Sequence, residues 1–352
     1  MPKGYSISKL SRFGYSYEHI GSLLSIFSQP TVCKIMFLLD REREMEVREI
    51  RRELSGVQSF VISKSLSLLK NHNIIGKVEK SYVLKNDIFF QRLSDATVRI
   101  LGLVGEKTTR EKITDMDLRN VADLFSNLFF DNVSNILIHM LLMKSRKFNE
   151  IAEMYRNAHG YVPTSTLRYH LSTRKVSIGD HKIKIFDLRG RNYTLSPMGK
   201  KIHKIFDNFI EEYENAIEQW INDMWKLPIR ELTTESIPIA DPRDSVHKLL
   251  RILYSSDFII AFSTEPKGII TTKNIMNKIG NNLGKLGFLA ETTVEDIMTP
   301  ISKDQIIPGN TTLLDLFKKE GGFEHNHYIV DLGSGMYSVL SIYDVLKRFS
   351  VA

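Results

Sequence analysis

Apolar positions recur at helical spacing along the first two thirds of the chain. In residues 31–41 they fall at 32, 35, 36, 38 and 39, and Pro30 stands where a first helical turn has no use for an N–H. A second helix is expected over residues 46–54, with Val47, Ile50 and Leu54 on one face and Gly56 as its breaker. A third is expected over residues 58–71. Val61, Ile62, Leu66 and Leu69 point inward there, while Gln58, Ser59, Ser63, Lys64, Ser67 and Lys70 point away. Residues 74–84 read as two short strands about a turn. The order then returns: helices over 133–143, 148–157 and 164–174, and a hairpin over 176–195. Residues 1–23 form a loose arm or a short helix from Tyr17 to Leu24, and residues 97–125 are helical and bridge the two rounds. Residues 198–224 form one long helix carrying Ile202, Ile205, Phe206, Phe209, Tyr213, Ile217, Trp220 and Ile221.

The last third has a different rhythm. Gly268-Ile-Ile-Thr-Thr-Lys-Asn-Ile-Met276 precedes Ser338-Val-Leu-Ser-Ile-Tyr-Asp-Val-Leu346 by 70 residues. Each follows a continuous apolar run, Phe258-Ile-Ile-Ala-Phe262 and His327-Tyr-Ile-Val-Asp331. Each half opens alike, at residues 229–239 and 294–301, with helices at 245–254 and 313–319 between opening and close. The order β-α-β-β-α is therefore expected twice.

Charge separates these regions. Residues 1–210 hold 34 Lys/Arg against 21 Asp/Glu, whereas residues 211–352 hold 14 against 20. Within residues 164–204 ten Lys/Arg face only two acids, Asp180 and Asp187. Three helices and a hairpin make a winged helix-turn-helix, and a basic helix beside a basic ribbon suits a DNA major groove and its phosphates. In the second round Thr164, Ser165, Thr166, Arg168, Tyr169 and His170 are the candidate helix contacts, and Lys182, Lys184, Arg189 and Arg191 the wing contacts. Arg168 would donate two hydrogen bonds to guanine. In the first round the candidates are Ser59, Ser63, Lys64 and Ser67, on a serine-rich helix that would equally serve dimerisation.

Other chemistry is thin. Cys33 is the only cysteine, which excludes an intrachain disulfide and a multi-cysteine metal site. Its helical position suits a small buried residue. His325-Asn-His327 has strand spacing for two rings on one face, but no third ligand has an obvious spacing. No phosphate loop or catalytic triad is legible, so no enzyme and no metal are expected. No apolar run spans a bilayer and no secretory leader is seen, so a cytoplasmic protein is expected.

Three resemblances extend this reading. Residues 28–84 resemble ArsR-type regulators through Val61-Ile-Ser-Lys-Ser-Leu-Ser-Leu-Leu-Lys-Asn-His-Asn-Ile-Ile75. Residues 133–206 are similar to PadR- or MarR-type regulators, whose wing ends in Tyr-x-Leu-Thr-x-x-Gly; here the run is Tyr193-Thr-Leu-Ser-Pro-Met-Gly199. Residues 229–350 resemble a tandem cystathionine β-synthase (CBS) domain pair, or Bateman module, through Asp296-Ile-Met-Thr-Pro300 and the two strand-to-helix endings. The CBS resemblance implies an adenosine-type ligand such as ATP, ADP, AMP or S-adenosylmethionine. By the family's cleft motif, Thr271 and Asn274 in repeat one, and Ser341 and Asp344 in repeat two, would hold phosphate and ribose. Lys273 would neutralise a phosphate, and Ile237 and Ile301 would flank adenine. An amide at 274 has one acceptor oxygen where a carboxylate has two, which makes repeat one the weaker cleft. Ser338 stands where the family has glycine.

The expected fold class is a mainly α N-terminal part with two winged-helix (α+β) domains, followed by an α/β tandem CBS pair. The boundaries are an arm at 1–23, winged helices at 24–95 and 126–210 joined by a connector at 96–125, a linker helix at 211–228, and CBS repeats at 229–280 and 281–352. The expected function is a homodimeric, sequence-specific transcription regulator on double-stranded DNA whose CBS pair senses the ligand. The rivals are an RNA-associated or protein-interaction adaptor, and an architectural DNA-binding protein without ligand response.

Overall fold

The computed structural model describes residues 17–72, 74–78, 80–85, 87–142, 144–160, 162–173, 175–178, 181–233, 237–253, 258–281, 291–320, 323–343 and 345. The chain divides into two compact units, residues 1–218 and 219–350.

The first unit opens with α1 (Tyr17–Phe27) and α2 (Pro30–Glu42). α2 buries Val32, Cys33, Ile35, Met36, Leu38 and Leu39, the face its periodicity marks, with Pro30 in its first turn. Then come β1 (Glu44–Glu46), α3 (Val47–Glu53), α4 (Ser59–Asn71), β2 (Ile75–Val78) and β3 (Ser81–Leu84). The strands form a sheet of order β1-β3-β2, so the short strand before α3 lies beside the second hairpin strand. β1 has no sequence signature: a three-residue Glu-Met-Glu strand shows no period, and only Met45 is buried.

The expected bridge resolves into α5 (Ile88–Leu103) and α6 (Asp115–Phe125), the latter continuing as a π-helical turn over Ser126–Phe130. Thr114 and Asp117 cap α6 reciprocally. The second round repeats the first: α7 (Asn132–Leu142), β4 (Arg146–Lys147), α8 (Phe148–His159), and α9 (Thr164–Arg168) with a π-helical turn over Tyr169–Thr173.

The hairpin expected over 176–195 is two hairpins. β5 (Lys175–Ile178) pairs with β6 (His181–Lys184), and β7 (Phe186–Arg189) pairs with β8 (Asn192–Leu195). β8 also pairs with β4, giving the order β4-β8-β7 that matches the first round. The split falls at Ile185-Phe186. Both side chains are buried, so two successive inward residues break the period of two.

α10 (Pro197–Lys226) follows and carries the unit boundary within it. Its first two thirds bury Ile202, Phe206, Phe209, Tyr213 and Ile217. Rings make much of this core. Phe89 of α5 meets Phe209 and Tyr213 edge-on at 5.5 and 5.3 Å, and Phe129 stacks on Phe206 at 3.9 Å. Such pairs add about 0.5–1.5 kcal/mol each beyond the area they bury.

The second unit is α/β. β9 (Ile239–Ala240), α11 (Val246–Leu253), β10 (Phe258–Phe262), β11 (Pro266–Thr271) and α12 (Thr272–Asn281) form the first repeat. β12 (Thr299–Pro300), β13 (Ile306–Pro308), α13 (Leu313–Glu320), β14 (His327–Gly333) and β15 (Met336–Ser341) follow. In each sheet a parallel first strand lies beside the central strand, and the next strand is antiparallel to it.

Residues 294–301 do not start the second sheet, as the repeat alignment suggests. β12 pairs with β11 as the outer strand of the first sheet, and the Ile301 N–H donates to Lys267 O at 3.2 Å. The exchange is mutual, since the Ile237 N–H donates to Tyr337 O at 2.8 Å. Each repeat's opening segment thus lines the outer strand of the other repeat's sheet. Gly268 permits this approach, because a Cβ there would meet Met298 and the Thr299 carbonyl oxygen within 2.9 Å.

The apolar strands have two buried faces. In β10, Ile259 and Ala261 face their own helices while Ile260 faces the other sheet. In β14, Tyr328 and Val330 face helices while Ile329 joins Ile260 between the sheets. Burial on both faces is why these strands read as unbroken apolar runs.

Candidate functional site

The second round of the first unit concentrates the candidate nucleic-acid contacts. α9 and its continuation are amphipathic. Leu167 and Leu171 are buried, while Thr164, Ser165, Arg168, Tyr169 and Ser172 are exposed and Thr166 is half-buried. The Arg168 guanidinium lies over the Phe148 ring, 4.9 Å from its centroid, which orients its planar fork. Phe148 in turn lies 6.4 Å from the Tyr193 ring, and the Tyr193 hydroxyl is 3.2 Å from Ser172 Oγ. Sequence reading had no means to pair Arg168 with Phe148, which is 20 residues away on α8.

His170 departs from its expected role. It is 7% exposed, and its Nδ1 lies 2.9 Å from Ser134 Oγ on α7. Leu167, His170 and Leu171 stand at i, i+3 and i+4, the spacing of one helix face, so residue 170 lies on the buried side and leaves the set of surface contacts.

The expected wing cations belong to different hairpins. Arg189 and Arg191 flank the exposed tip of β7–β8, as a wing requires. Lys182 and Lys184 are exposed on β6, in the separate β5–β6 hairpin. Tyr169, Ser172, Lys175, Ser177 and Lys182 line an open depression of about 560 Å³ where this hairpin meets the end of the helix.

The C-terminal anchor of these hairpins is built from Ser196. Its hydroxyl donates to Lys184 O at 2.7 Å and accepts the Gly199 N–H at 2.8 Å, while its own N–H donates to Ile185 O at 2.8 Å. Ser196 therefore caps α10 and ties the end of β6 to it. Gly199 is the other half of the device, because a Cβ there would stand 2.5 Å from Ile185 O. The Tyr193–Gly199 run thus has a structural job whatever the wing touches.

In the first round Ser59, Ser63, Lys64 and Ser67 lie exposed on α4, and Arg51 donates to Ser63 Oγ at 3.5 Å. Phe60, which periodicity did not single out, is 73% exposed at the start of that helix. Cys33 is fully buried and accepts no role at the surface; its Sγ donates to Phe27 O.

In the α/β unit Thr271 and Asn274 stand at the junction of β11 and α12 and bond each other. The Thr271 N–H and Oγ1 both donate to Asn274 Oδ1, at 2.8 and 2.7 Å, and the Asn274 N–H donates to Thr271 Oγ1. Asn274 Nδ2 donates to Thr299 Oγ1 of the exchanged strand at 3.1 Å. This is a reciprocal helix cap. Lys273 is exposed beside it. Ser341 is buried at the matching place in the second repeat, and Asp344 lies outside the described residues. Ser338 is fully buried, so the sheet accommodates its side chain without glycine.

Ile237 and Ile301, expected to flank adenine, stand at the layer between the two sheets. Ile237 is 7% exposed in the apolar layer between the two sheets, and Ile301 packs against the same layer. The rings of His325 and His327 have different neighbours, Asp304 at 3.1 Å and Phe258 at 5.5 Å respectively. Among the described residues no group of three or more His, Cys, Asp or Glu is placed to hold a metal ion. Among them, too, no single helix is long and apolar enough to cross a membrane.

No protein-family model and no curated protein matches the chain. Solved structures similar to part of it include a hypothetical conserved protein from Geobacillus kaustophilus, at 18% identity and a TM-score of 0.26 over 35% of this chain and 95% of that one. An uncharacterized conserved protein from Pyrococcus horikoshii matches at 20% identity and a TM-score of 0.27, over 35% and 92% of the two chains. A CBS domain-containing protein of unknown function from Bacillus anthracis matches at 18% identity and a TM-score of 0.28, over 36% and 94%.

Proposed function

We propose that this protein is a transcription regulator that binds duplex DNA through its first unit and an adenosine-type ligand through its second. Both rounds of the first unit run helix, short strand, helix, helix and a hairpin whose second strand lies beside the short strand, the second round inserting the β5–β6 hairpin before it. That is the order of a winged helix-turn-helix. The observation that carries the reading is the outward face of α9. Thr164, Ser165, Arg168 and Tyr169 are exposed there, and Arg189 and Arg191 stand at the wing tip. Hydroxyls and a pre-oriented guanidinium suit base edges, and wing cations suit phosphates. The first round, with Phe60 exposed on a serine-rich helix, suits a protein contact better than a phosphate contact.

In the second unit the β-α-β-β order found twice, with each repeat's opening segment bonded to the other repeat's sheet, supports a tandem CBS pair, and with it an ATP, ADP, AMP or S-adenosylmethionine ligand. Of the two candidate pairs in the sequence, Ser341 with Asp344 is favoured over Thr271 with Asn274, since a carboxylate can accept from both ribose hydroxyls. The protein acts as a homodimer, which presents two readers to a pseudo-palindromic site. The ligand changes DNA affinity only by its differential affinity for two arrangements of the dimer.

The test is fluorescence anisotropy of the full chain with duplexes selected from genomic DNA. Arg168→Ala with Arg191→Ala should lower affinity by at least ~10-fold at moderate salt. Retention of full affinity would reject α9 as the reader. A melting temperature unmoved by ATP, AMP and S-adenosylmethionine alike would reject the ligand half.

A further inference from the structure

We infer that the β5–β6 hairpin is a second phosphate-gripping element, separate from the β7–β8 wing, which holds the backbone of bound duplex DNA without reading its sequence. This rests on the duplex-binding reading above. It assigns the hairpin a job that the winged-helix order does not require, since β7–β8 already completes the sheet of that round.

The ribbon is two-faced. Val176, Ile178 and Ile183 are buried, and β5 packs against α6. Lys175, Ser177, Lys182 and Lys184 all point outward. The register sets Lys175 directly opposite Lys184 and Ser177 opposite Lys182. Like charges opposite one another across antiparallel strands destabilise the pair. Among the described residues none of these three lysines has an ion-pair partner. Among the described residues nothing neutralises these three cations, and a polyanion would remove that repulsion.

The shape favours a nucleic-acid backbone over other polyanions. Lys182 and Lys184 stand two residues apart on one face, about 6.8 Å along the strand, a step comparable with that between successive phosphates. Ser172 and Ser177 line one depression with Lys175 and Lys182. Tyr169 lines it as well, and Tyr169 continues the exposed face of α9. One surface therefore runs from the proposed base-reading helix onto the ribbon. The ribbon is also held rigidly, because Ser196 fixes the carbonyls of Lys184 and Ile185.

Phosphate contacts add salt-dependent affinity and no sequence information. The experiment measures duplex affinity of the full chain against salt, for the parent, for Lys175→Gln/Lys182→Gln/Lys184→Gln, and for Lys184→Glu alone. Each phosphate contact contributes about 0.9 to the slope of log affinity on log salt, so the triple variant should lose about 2.7 from it. Its relative affinities for competing sequences should be unchanged. Lys184→Glu places opposite charges across the ribbon, so it should melt no lower than the parent while binding duplex more weakly, which separates lost contact from lost folding. An unchanged slope in the triple variant, with duplex still bound and still discriminated, overturns the ribbon and leaves the α9 reading standing. A parent that binds no duplex at low salt overturns both. A parent that binds phosphatidylserine vesicles or polyglutamate through these lysines, with duplex affinity indifferent to them, assigns the surface to another polyanion and overturns the inference.

Discussion

Ser196→Ala tests the joint on which the whole basic surface depends. The hydroxyl makes two bonds from a nearly solvent-free position, one to the Gly199 N–H and one to the Lys184 carbonyl. Removing a helix cap costs about 1 kcal/mol. Leaving a buried acceptor without its donor costs about 1–3 kcal/mol. The joint should therefore open more easily by about 2–4 kcal/mol, which corresponds to at least a ~30-fold larger open population and, with it, faster exchange. Hydrogen exchange followed by mass spectrometry reads this directly on peptides covering residues 184–204. Ser196→Thr keeps the hydroxyl and should stay within a few-fold of the parent. Equal exchange in the alanine variant and the parent would show that Ser196 neither caps α10 nor secures β6, and the argument for a rigid ribbon would fall with it.

Other outcomes follow from single residues. Burial pushes the Cys33 thiol up to about 12, so the native protein should resist iodoacetamide and label only when denatured; stoichiometric labelling of the folded chain would contradict its placement. Arg168→Lys keeps the charge but loses the planar fork over Phe148, so on the proposed duplex-binding reading discrimination at the base it meets should fall by about 1–3 kcal/mol while the salt slope holds. His139 is exposed at its edge, but partial desolvation of its ring against α7's neighbours, and then His203, hold it below its ordinary value of 6.5, so its effect on stability is small. On acidification the unfolded chain takes up a proton near 6.5 that the folded site accepts only at lower pH, so this site's contribution to stability is lost between those two values. His139→Gln should flatten that part of the profile of urea midpoint against pH; an unchanged profile would remove His139 as its source.

Much of the fold is legible where one period governs a whole element. α2, α4 and α10 carry apolar residues at helical spacing over three or more turns, and their buried faces are those the spacing marks. β1 and β4 escaped because strands of three and two residues show no period, and their partners are set by the sheet. The division of residues 175–195 escaped for a subtler reason. Both hairpins alternate correctly, and only the adjacent inward pair Ile185-Phe186 betrays the change of sheet. His170 lies inward because it shares the helix face of Leu167 and Leu171, a placement that its polar ring masks in a hydrophobic pattern.

The ligand motif shows a different limit, because its spacing is shared with an ordinary helix cap. Thr271 and Asn274 bond reciprocally at the start of α12. Thr114 and Asp117 do the same before α6, as do Ser302 and Gln305 before a short turn. Thr293 with Asp296 and Thr312 with Asp315 form further bonds over the same interval. A hydroxyl followed three residues later by an acid or amide is therefore first a local solution to unsatisfied N–H groups. Position, not spacing, separates a ligand site from these caps: Thr271 ends a central strand, and Asn274 also reaches the strand contributed by the other repeat. A nucleoside at that junction must displace or share bonds the fold already uses. In repeat one the single acceptor oxygen of Asn274 already receives both donors of Thr271, so ribose would have to compete for it. A carboxylate has a second oxygen to offer, so the proposed nucleoside reading favours the Ser341–Asp344 pair of the second repeat.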